Sequence, residues 1–319
     1  MSKTTKIRWV IAHEPLSLFV RAAHDFEKEI NAQQTAEKIE IEVMTLSEYS
    51  AKYNDGVVVT KHDLLELMEA GKIEMSQMYT TWLAEHYEHD FLAFEMPYIF
   101  SDHDHASRVL EGEVGETLLA KLTDNSNVRG LAYTYSGGFR CLGVNKSVST
   151  LADLTGEKLR SNRNPVGRAV IRTMSGVEPF VCETEDAREH IALGDCNGND
   201  TVYSRIYPLN QHDVIQSVVD SKHSLFLTTM IIGDRFWDSL SAEVKAVIKK
   251  AAIQAGRNER QTTIVDGEQA RDRLVSEGKT VYEPTAQETA EMKTKMTVVY
   301  DQFADFFTPG LIDSIRRLH

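Results

Sequence analysis

Strand-like and helix-like segments alternate along the first half of the chain. Apolar residues at 7–12 predict a strand, and residues 18–30 then place apolar side chains at helical spacing. Isoleucine and valine alternate with glutamate over 39–43, which is typical of a half-buried strand. Residues 62–70 predict another helix, and residues 73–79 another strand. Because this alternation joins parallel strands through crossover helices, the sequence predicts an α/β fold.

The second half repeats the pattern with different breaks. The pair Gly137-Gly138 predicts a turn after the strand at 130–135. Residues 224–232 form a continuous apolar run that predicts a fully buried strand. Residues 241–277 are nearly free of helix breakers and predict one long helix, or two helices in line.

The chain length indicates two domains. At roughly 100–200 residues per domain, 319 residues are enough for two hydrophobic cores. Since no Pro-rich linker separates two halves, we expect the chain to cross between the domains more than once.

The charge balance excludes two classes of partner. The chain has 35 basic and 48 acidic residues, a net charge of −13, whereas binding to nucleic acid or to anionic lipid needs a basic surface. No apolar run approaches the ~20 residues that span a bilayer. No apolar signal-peptide core precedes the first strand, which leaves open a cytoplasmic protein or an exported one whose signal was replaced.

The common signatures of catalysis and cofactor binding are missing. The sequence has no GxGxxG, P-loop, HExxH or GxSxG pattern, and the three cysteines have no metal-ligand spacing. Residues 102–105 (DHDH) are adjacent, so their side chains point in different directions and predict a solvated loop that opens a helix. We therefore predict no enzyme, no cofactor and no metal site. A bridge between Cys182 and Cys196 stays open, beside the simpler view that all three cysteines are partly buried apolar residues.

Basic and amide residues stand at predicted strand ends. Arg140 follows the Gly-Gly pair, and Arg160 closes a short strand that is followed by Asn162, Arg163 and Asn164. A guanidinium group binds a carboxylate through two parallel hydrogen bonds, and amides satisfy neighbouring polar groups of a ligand. The alternative is that these arginines form ordinary surface ion pairs.

The order of these segments resembles a known family. The stretches are GLAYTYSGGFRCLGVNKSVSTLADLTGEKLRSNRNP, VEPFVCETEDAREHIALGDCNGND and DRFWDSLSAEVKAVIKKAA, with weaker matches upstream at KIRWVIAHEP, LLELMEAGKIEMSQ and FEMPYIFSDHDHASRVL. Together they are similar to the solute-binding proteins of TRAP transporters, the DctP family, over nearly the whole chain.

The resemblance implies an α/β fold of the periplasmic-binding-protein kind, a two-lobed clamshell with a long helix spanning both lobes. Lobe I would comprise residues 1–137 and 226–265, and lobe II residues 138–225 and 266–319. It also implies a periplasmic receptor, sufficient as a monomer, that binds a ligand between the lobes. That receptor would hand the ligand to a membrane permease driven by an ion gradient.

The resemblance also assigns roles to residues of the second lobe. Arg160 falls where the family binds the ligand carboxylate, and Arg140 where a second contact is often made. The turn that holds Asn199 and Asp200 departs from the family pattern, so the resemblance implies only some of the polar ligand contacts that the family makes there. Tyr203, just after this turn, is a further candidate for ligand binding.

Further residues differ from the common pattern or come from the first lobe. Arg163 is a third cation, available to a second acidic group of the ligand or to Glu183. Glu14 resembles the carboxylate of ectoine-binding members, and Tyr79 and Trp82 either supply a flat apolar wall for the ligand or pack between the lobes.

The sequence therefore predicts a receptor for a small organic acid with a carboxylate group. Two alternatives stay open: a receptor for an ectoine-like zwitterion, and a ligand-sensing module that reports to a membrane receptor instead of a permease.

Overall fold

The structure is a computed structural model that describes residues 4–13, 17–33 and 35–319. In these residues the strands are β1 (Thr4–Ile11), β2 (Lys38–Thr45), β3 (Met75–Tyr79), β4 (Val128–Phe139), β5 (Cys141–Val144), β6 (Leu159–Ser161), β7 (Phe180–Val181), β8 (Gly198–Thr201), β9 (Ser217–Val219), β10 (Leu225–Gly233) and β11 (Thr280–Tyr282). The α-helices are α1 (Ser17–Asn31), α2 (Leu46–Tyr53), α3 (Leu64–Glu69), α4 (Thr80–His86), α5 (His103–Glu111), α6 (Glu113–Asn125), α7 (Pro165–Ser175), α8 (Ala187–Leu193), α9 (Tyr203–Ile206), α10 (Asp234–Asp238), α11 (Ala242–Ser276), α12 (Ala286–Lys295), α13 (Thr297–Gln302) and α14 (Leu311–Arg316). Short 3-10 helices lie at His89–Glu95, Leu151–Leu154 and Gln211–Asp213.

The first of two compact units contains Met1–Glu88, Leu110–Ser136 and Leu227–Thr262. Its sheet has the strand order β2-β1-β3-β10-β4, with β1 parallel to both of its neighbours. The apolar face of α1 is buried, and Phe26 of that face packs against Trp9 of β1 with ring centroids 5.3 Å apart. The helical spacing predicted for residues 18–30 therefore corresponds to a helix whose apolar face packs against the sheet.

The second unit contains His89–Val109, Gly137–Phe226 and Thr263–His319. Its sheet has the order β11-β9-β5-β8-β6-β7. β6 is parallel to both β7 and β8, whereas β5 is antiparallel to both of its neighbours. These six strands position most of the residues that the sequence assigned to ligand binding.

Residues 89–109 lie in the second unit, whereas the sequence predicts them in the first lobe. Hydrogen bonds to later parts of the chain explain the difference. The Tyr98 N–H donates to the His223 carbonyl at 2.7 Å, and Asp90 accepts from the N–H and hydroxyl of Thr308 at 2.8 and 2.6 Å. These contacts join residues more than 100 positions apart in the sequence, so local sequence patterns do not indicate them.

The prediction of a turn at Gly137-Gly138 is wrong. β4 continues through both glycines to Phe139, and the glycines have φ angles of +115° and +79°. A Cβ atom on Gly137 would lie 2.1 Å from Cγ2 of Val202, so the close approach of this side chain requires glycine there. The two glycines thus bend a strand instead of ending it.

The prediction of parallel strands is confirmed for β1 with β2 and β3 and for β6 with β7 and β8, but other strands are antiparallel. β10 runs antiparallel to β3, and β5 runs antiparallel to β8 and β9. These strands enter their sheets from distant parts of the chain, so no crossover helix sets their direction.

The predicted long helix is one helix, α11, of 35 residues. Its residues up to Thr262 belong to the first unit and those from Thr263 to the second. Its interior includes Gly256, where a Cβ atom would lie 2.8 Å from the carbonyl oxygen of Tyr133.

The acidic and histidine run at 102–105 opens α5 as predicted, but it is not all solvated. His105 is fully buried, with Nε2 2.8 Å from the carbonyl oxygen of Ile315. Asp102 Oδ1 accepts a hydrogen bond from the His105 N–H, which is how a residue before a helix satisfies its first turn.

Candidate functional site

Residues that the sequence singles out meet on neighbouring strands of the second unit. The parallel register of β6 and β8 pairs Arg160 with Asn199. β5 lies on the other side of β8, and Arg140 directly precedes β5. Because residues paired across two strands point to the same face of the sheet, Arg160 and Asn199 lie side by side. With Asp200 they form the Arg160 cluster: Arg140, Arg160, Asn199 and Asp200.

The Arg160 guanidinium is buried, with 4% of the residue exposed. Its Nε and Nη2 donate to the Cys182 carbonyl oxygen at 2.9 and 2.6 Å, and Nη1 lies 3.4 Å from Oδ1 of Asn199. Within the described part of the chain, no carboxylate forms an ion pair with it. Burial lowers the pKa of Arg160, because the neighbouring groups do not offset the loss of hydration.

Arg140 is equally buried but has two acidic partners. Its Nη1 lies 3.2 Å from Oδ2 of Asp200, and its Nη2 lies 3.5 Å from Oε2 of Glu95. The guanidinium carbon also lies 3.9 Å from the ring centroid of Phe226. Burial acts to lower the pKa of Arg140, but the charges of Asp200 and Glu95 outweigh it and raise that pKa.

Asp200 connects the two arginines and a histidine. Its carboxylate bonds Arg140, and its main-chain carbonyl oxygen lies 3.5 Å from Nη1 of Arg160. The Nε2 atom of His223 lies 3.4 Å from Oδ1 of Asp200, and the Nδ1 atom of His223 lies 2.8 Å from the hydroxyl of Ser221. Burial acts to raise the pKa of Asp200, and the charge of Arg140 and the hydrogen bond from His223 reverse this effect and lower it.

Glu95, His223 and Phe226 were missed by the sequence reasoning. One signal could have found Glu95: it is an isolated acid in the apolar run Phe91–Phe100, where a charge has to be buried and therefore needs a partner. Burial, followed by the charge of Asp200, raises the pKa of Glu95 to about 7, and Arg140 acts against both.

The two predicted asparagines after β6 have local hydrogen bonds. Oδ1 of Asn164 accepts from the Val166 N–H at 2.9 Å and caps α7, and Oδ1 of Asn162 accepts from the Asn164 N–H at 3.2 Å. The amide nitrogen of Asn164 is buried and has no hydrogen-bond partner in the described chain. Asn164 can therefore cap the helix with its oxygen and still offer its NH₂ group.

Two other predicted residues of this unit lie outside the Arg160 cluster. The Arg163 side chain is 68% exposed, and its Nε lies 3.8 Å from Oε1 of Glu183. Tyr203 packs in an apolar cluster with Cys141 and Leu274, and its hydroxyl has no hydrogen-bond partner among the described residues. Burial raises the pKa of Tyr203.

All three cysteines are free. Cys141 and Cys196 are buried, and Cys182 is half-buried. The pairing of Cys182 with Cys196 that the sequence left open is therefore absent in this structure.

The predicted residues of the first unit form aromatic contacts. Tyr79, at the end of β3, lies against His13 with ring centroids 4.3 Å apart. Trp82 of α4 lies between His62 and His86, with centroid distances of 4.8 and 4.7 Å. Glu14 lies outside the described residues.

Residues 11–305 match the family described as "Bacterial extracellular solute-binding protein, family 7", DctP. The chain belongs to this family. The resemblance and the fold class predicted from the sequence are confirmed. The family is one of extracellular solute-binding proteins, and the chain folds into two compact α/β units.

Individual proteins show the same relationship. The chain is 26% identical over 269 residues to the C4-dicarboxylate-binding periplasmic protein DctP of Rhodobacter capsulatus, covering 81% of this chain and 80% of that one. The structure of a TRAP periplasmic solute-binding protein from Ochrobactrum anthropi, 22% identical, superposes with a TM-score of 0.87 over 99% of this chain and 95% of that one. One from Citrobacter koseri with bound D-glucuronate, 21% identical, has a TM-score of 0.80 over 99% of this DctP chain and 100% of that one.

The structure also bears on the membrane. Among the residues that it describes, no helix is both long and apolar enough to cross a bilayer.

Proposed function

We propose that this chain is the extracytoplasmic receptor of a TRAP transporter. It binds a small organic acid through Arg160 and delivers that acid to the membrane permease as a monomer. The observation that supports the binding role is the burial of the Arg160 guanidinium without a carboxylate partner in the described chain.

A buried and uncompensated cation destabilises the protein that contains it. Removing a charge from water costs several kcal/mol unless an opposite charge and hydrogen bonds replace the lost hydration. The Cys182 and Asn199 oxygens supply part of that replacement for Arg160. A ligand carboxylate supplies the missing negative charge, and each charge-assisted hydrogen bond then contributes about 1.5–3 kcal/mol.

Other buried polar atoms of the same region are suited to the remaining groups of the ligand. Nδ2 of Asn199, Oγ of Ser161 and Nδ2 of Asn164 are buried and have no hydrogen-bond partner in the described chain. Ser161 follows Arg160 in β6, and Asn199 of β8 pairs with Arg160 across the two strands. Unpartnered polar atoms of this kind favour an acid that also has hydroxyl or carbonyl groups.

The relatives suggest which acids to test. The Rhodobacter relative is named for C4-dicarboxylates, and the Citrobacter protein binds D-glucuronate. A thermal-shift panel of dicarboxylates, sugar acids, hydroxy acids and ectoine includes both classes and the zwitterion alternative. A ligand at about 100 times its dissociation constant adds roughly 2.7 kcal/mol to the free energy of unfolding.

The assignment of Arg160 is tested with the acid that gives the largest shift. Arg160→Ala is expected to weaken binding by about 10- to 100-fold in calorimetric titration. Arg172→Ala is the matched control, because Arg172 is an arginine of the same unit whose side chain is 45% exposed and paired with Glu178. Unchanged affinity in Arg160→Ala would contradict the role of Arg160, and a panel without any acid that binds would contradict the receptor.

A further inference from the structure

The N-terminal turn of α7 follows closely on Arg160 in the chain. Arg160 and Ser161 are the last two residues of β6, and Asn164 caps α7 three positions later. A helix N-terminus has free backbone N–H groups and about half a positive charge, which an acidic residue in the first turn commonly offsets. The first turn of α7 has no acidic residue, so its positive end is not offset from within the helix.

Two buried polar atoms border this turn. Ser161 is fully buried and Asn164 is 7% exposed, and neither Oγ of Ser161 nor Nδ2 of Asn164 has a hydrogen-bond partner in the described chain. A Cβ atom on Gly167, in the first turn of α7, would lie 3.7 Å from Oγ of Ser161 and 3.6 Å from Nδ2 of Asn164. Both atoms therefore border one space over Gly167, which remains because glycine has no side chain. Gly167 itself is only half-buried, so this space is accessible from solution.

The hydrogen bonds of this turn determine which chemical group fits the space. Oδ1 of Asn164 accepts from the Val166 N–H, so the NH₂ end of the amide is the end that remains, and it can only donate. The hydroxyl of Ser161 can donate or accept. An oxygen with lone pairs satisfies both groups and is attracted by the helix N-terminus, whereas an ammonium group has no lone pair and is repelled.

Strand geometry determines where this space lies relative to Arg160. Successive residues of a strand point to opposite faces, so Arg160 and Ser161 leave β6 on opposite sides. β6 is parallel to both of its neighbours, and ligands of parallel sheets bind at the carboxyl ends of the strands. A ligand that contacts Arg160 and reaches Gly167 must extend across the carboxyl end of β6. Its oxygen over Gly167 is therefore remote from its carboxylate.

We propose that the first turn of α7 binds a second oxygen of the organic acid, remote from the carboxylate on Arg160, and that Gly167 leaves the room for it. This inference rests on the proposed function and names its ligand class. The ligand has a hydroxyl or carbonyl oxygen at its far end and no ammonium group there.

The first test fills the space over Gly167. Gly167→Ala places a methyl group there, and its closest contact is 3.2 Å, to Oδ1 of Asn162 at the end of a side chain. Because alanine favours a helix more than glycine does, the melting temperature is expected to stay the same or rise. Gly267→Ala is the matched control: Gly267 is a helical glycine of the same unit, and its Cβ would meet no atom closer than 4.0 Å.

The probes are pairs of acids that differ only in the place of one hydroxyl group. They are 6-hydroxyhexanoate with 2-hydroxyhexanoate, and 4-hydroxybutanoate with 2-hydroxybutanoate, titrated calorimetrically. The wild type is expected to bind the terminal hydroxy acid of at least one pair about tenfold or more tightly than its isomer. Gly167→Ala should abolish this preference and Gly267→Ala should retain it. Replacing the terminal hydroxyl by ammonium, as in 6-aminohexanoate and 4-aminobutanoate, should also abolish it.

A second variant changes the hydrogen-bonding group without adding volume. Asn164→Asp still caps α7, because a carboxylate oxygen accepts from the Val166 N–H as the amide oxygen does. It replaces the donating NH₂ group by an accepting oxygen, so the preference for the terminal hydroxy acid is expected to fall about tenfold. A group needed only by the fold would change the affinity for both isomers alike.

The outcomes separate this inference from the proposed function. A wild-type preference that falls about tenfold in Gly167→Ala and Asn164→Asp, but not in Gly267→Ala, supports the oxygen site; if Asn164→Asp does not fold, Gly167→Ala decides. Equal binding of the isomers by the wild type, or a preference that Gly167→Ala leaves unchanged, overturns the oxygen site and leaves the receptor intact.

The wild type could bind another acid of the thermal-shift panel and none of these hydroxy acids. The affinity of Gly167→Ala for that panel acid then decides: a tenfold loss that is absent in Gly267→Ala supports the oxygen site, and an unchanged affinity overturns it. Binding of no acid at all overturns the receptor itself.

Discussion

Arg140 and Arg160 lie in the same unit and contact the same aspartate, yet their surroundings differ. Arg140 is buried against two carboxylates, and its pKa is raised. Arg160 is buried against carbonyl oxygens, and its pKa is lowered. Two arginines with the same burial therefore have different partners: Arg140 neutralises acids of the fold, and Arg160 is the proposed contact for the carboxylate of a ligand. The burial of an arginine therefore indicates a binding role only when its ion-pair and hydrogen-bond partners are known.

The largest effect on stability is expected from Arg140→Met. The substitution leaves Glu95 and Asp200 buried without their cation, so the free energy of unfolding should fall by about 3–5 kcal/mol. Urea denaturation measures this loss. Arg172→Met, which breaks an exposed ion pair, should cost less than about 1 kcal/mol. Equal losses in the two variants would remove the proposed difference between Arg140 and a surface arginine.

The next effect is a pH dependence at Glu95. Burial raises its pKa from 4.5 to about 7, so the folded chain retains a proton that the unfolded chain has released. The stabilising contribution is complete below about pH 4.5 and is lost as the pH rises to about 7. Relative to Glu95→Gln, the wild type should lose roughly 3 kcal/mol over this range. Denaturation of both proteins at several pH values measures the difference, and parallel curves would contradict it.

Arg160→Ala should affect stability much less than Arg140→Met. The variant loses the hydrogen bonds to the Cys182 carbonyl but also removes an uncompensated buried charge, so a net loss of about 1 kcal/mol is expected. The same urea denaturation applies. A loss as large as that of Arg140→Met would show that Arg160, too, is needed mainly by the fold.

The smallest effect is expected from Arg163→Ala. Its side chain is 68% exposed and paired with Glu183, so the change in stability should stay below about 1 kcal/mol. Affinity for the best acid of the panel, measured by calorimetry, should change only a few-fold. A loss comparable to that of Arg160→Ala would place Arg163 among the ligand contacts, as the sequence predicts.

Much of the fold could be predicted from local patterns. The periodic segments of the first unit and the 35-residue helix are both present in the structure. These features depend on residues a few positions apart, so the sequence contains the whole signal.

The bend at Gly137 and the assignment of residues 89–109 to the second unit were beyond this reasoning. The side chain of Val202 that requires glycine at 137 is 65 positions away, and Tyr98 bonds a carbonyl more than 100 positions away. Residues so far apart in the sequence come into contact only when the sheets form.

The sequence by itself determined the α/β class, the family and the presence of arginines and amides at strand ends. Only the tertiary structure decided that Glu95 lies against Arg140 and that no carboxylate of the described chain lies against Arg160. The physical reason is that the pKa of a charged group and its availability for a ligand depend on the groups around it. Ion pairs act over a few ångströms in space, and the residues that form them are set by packing and not by their spacing in the chain.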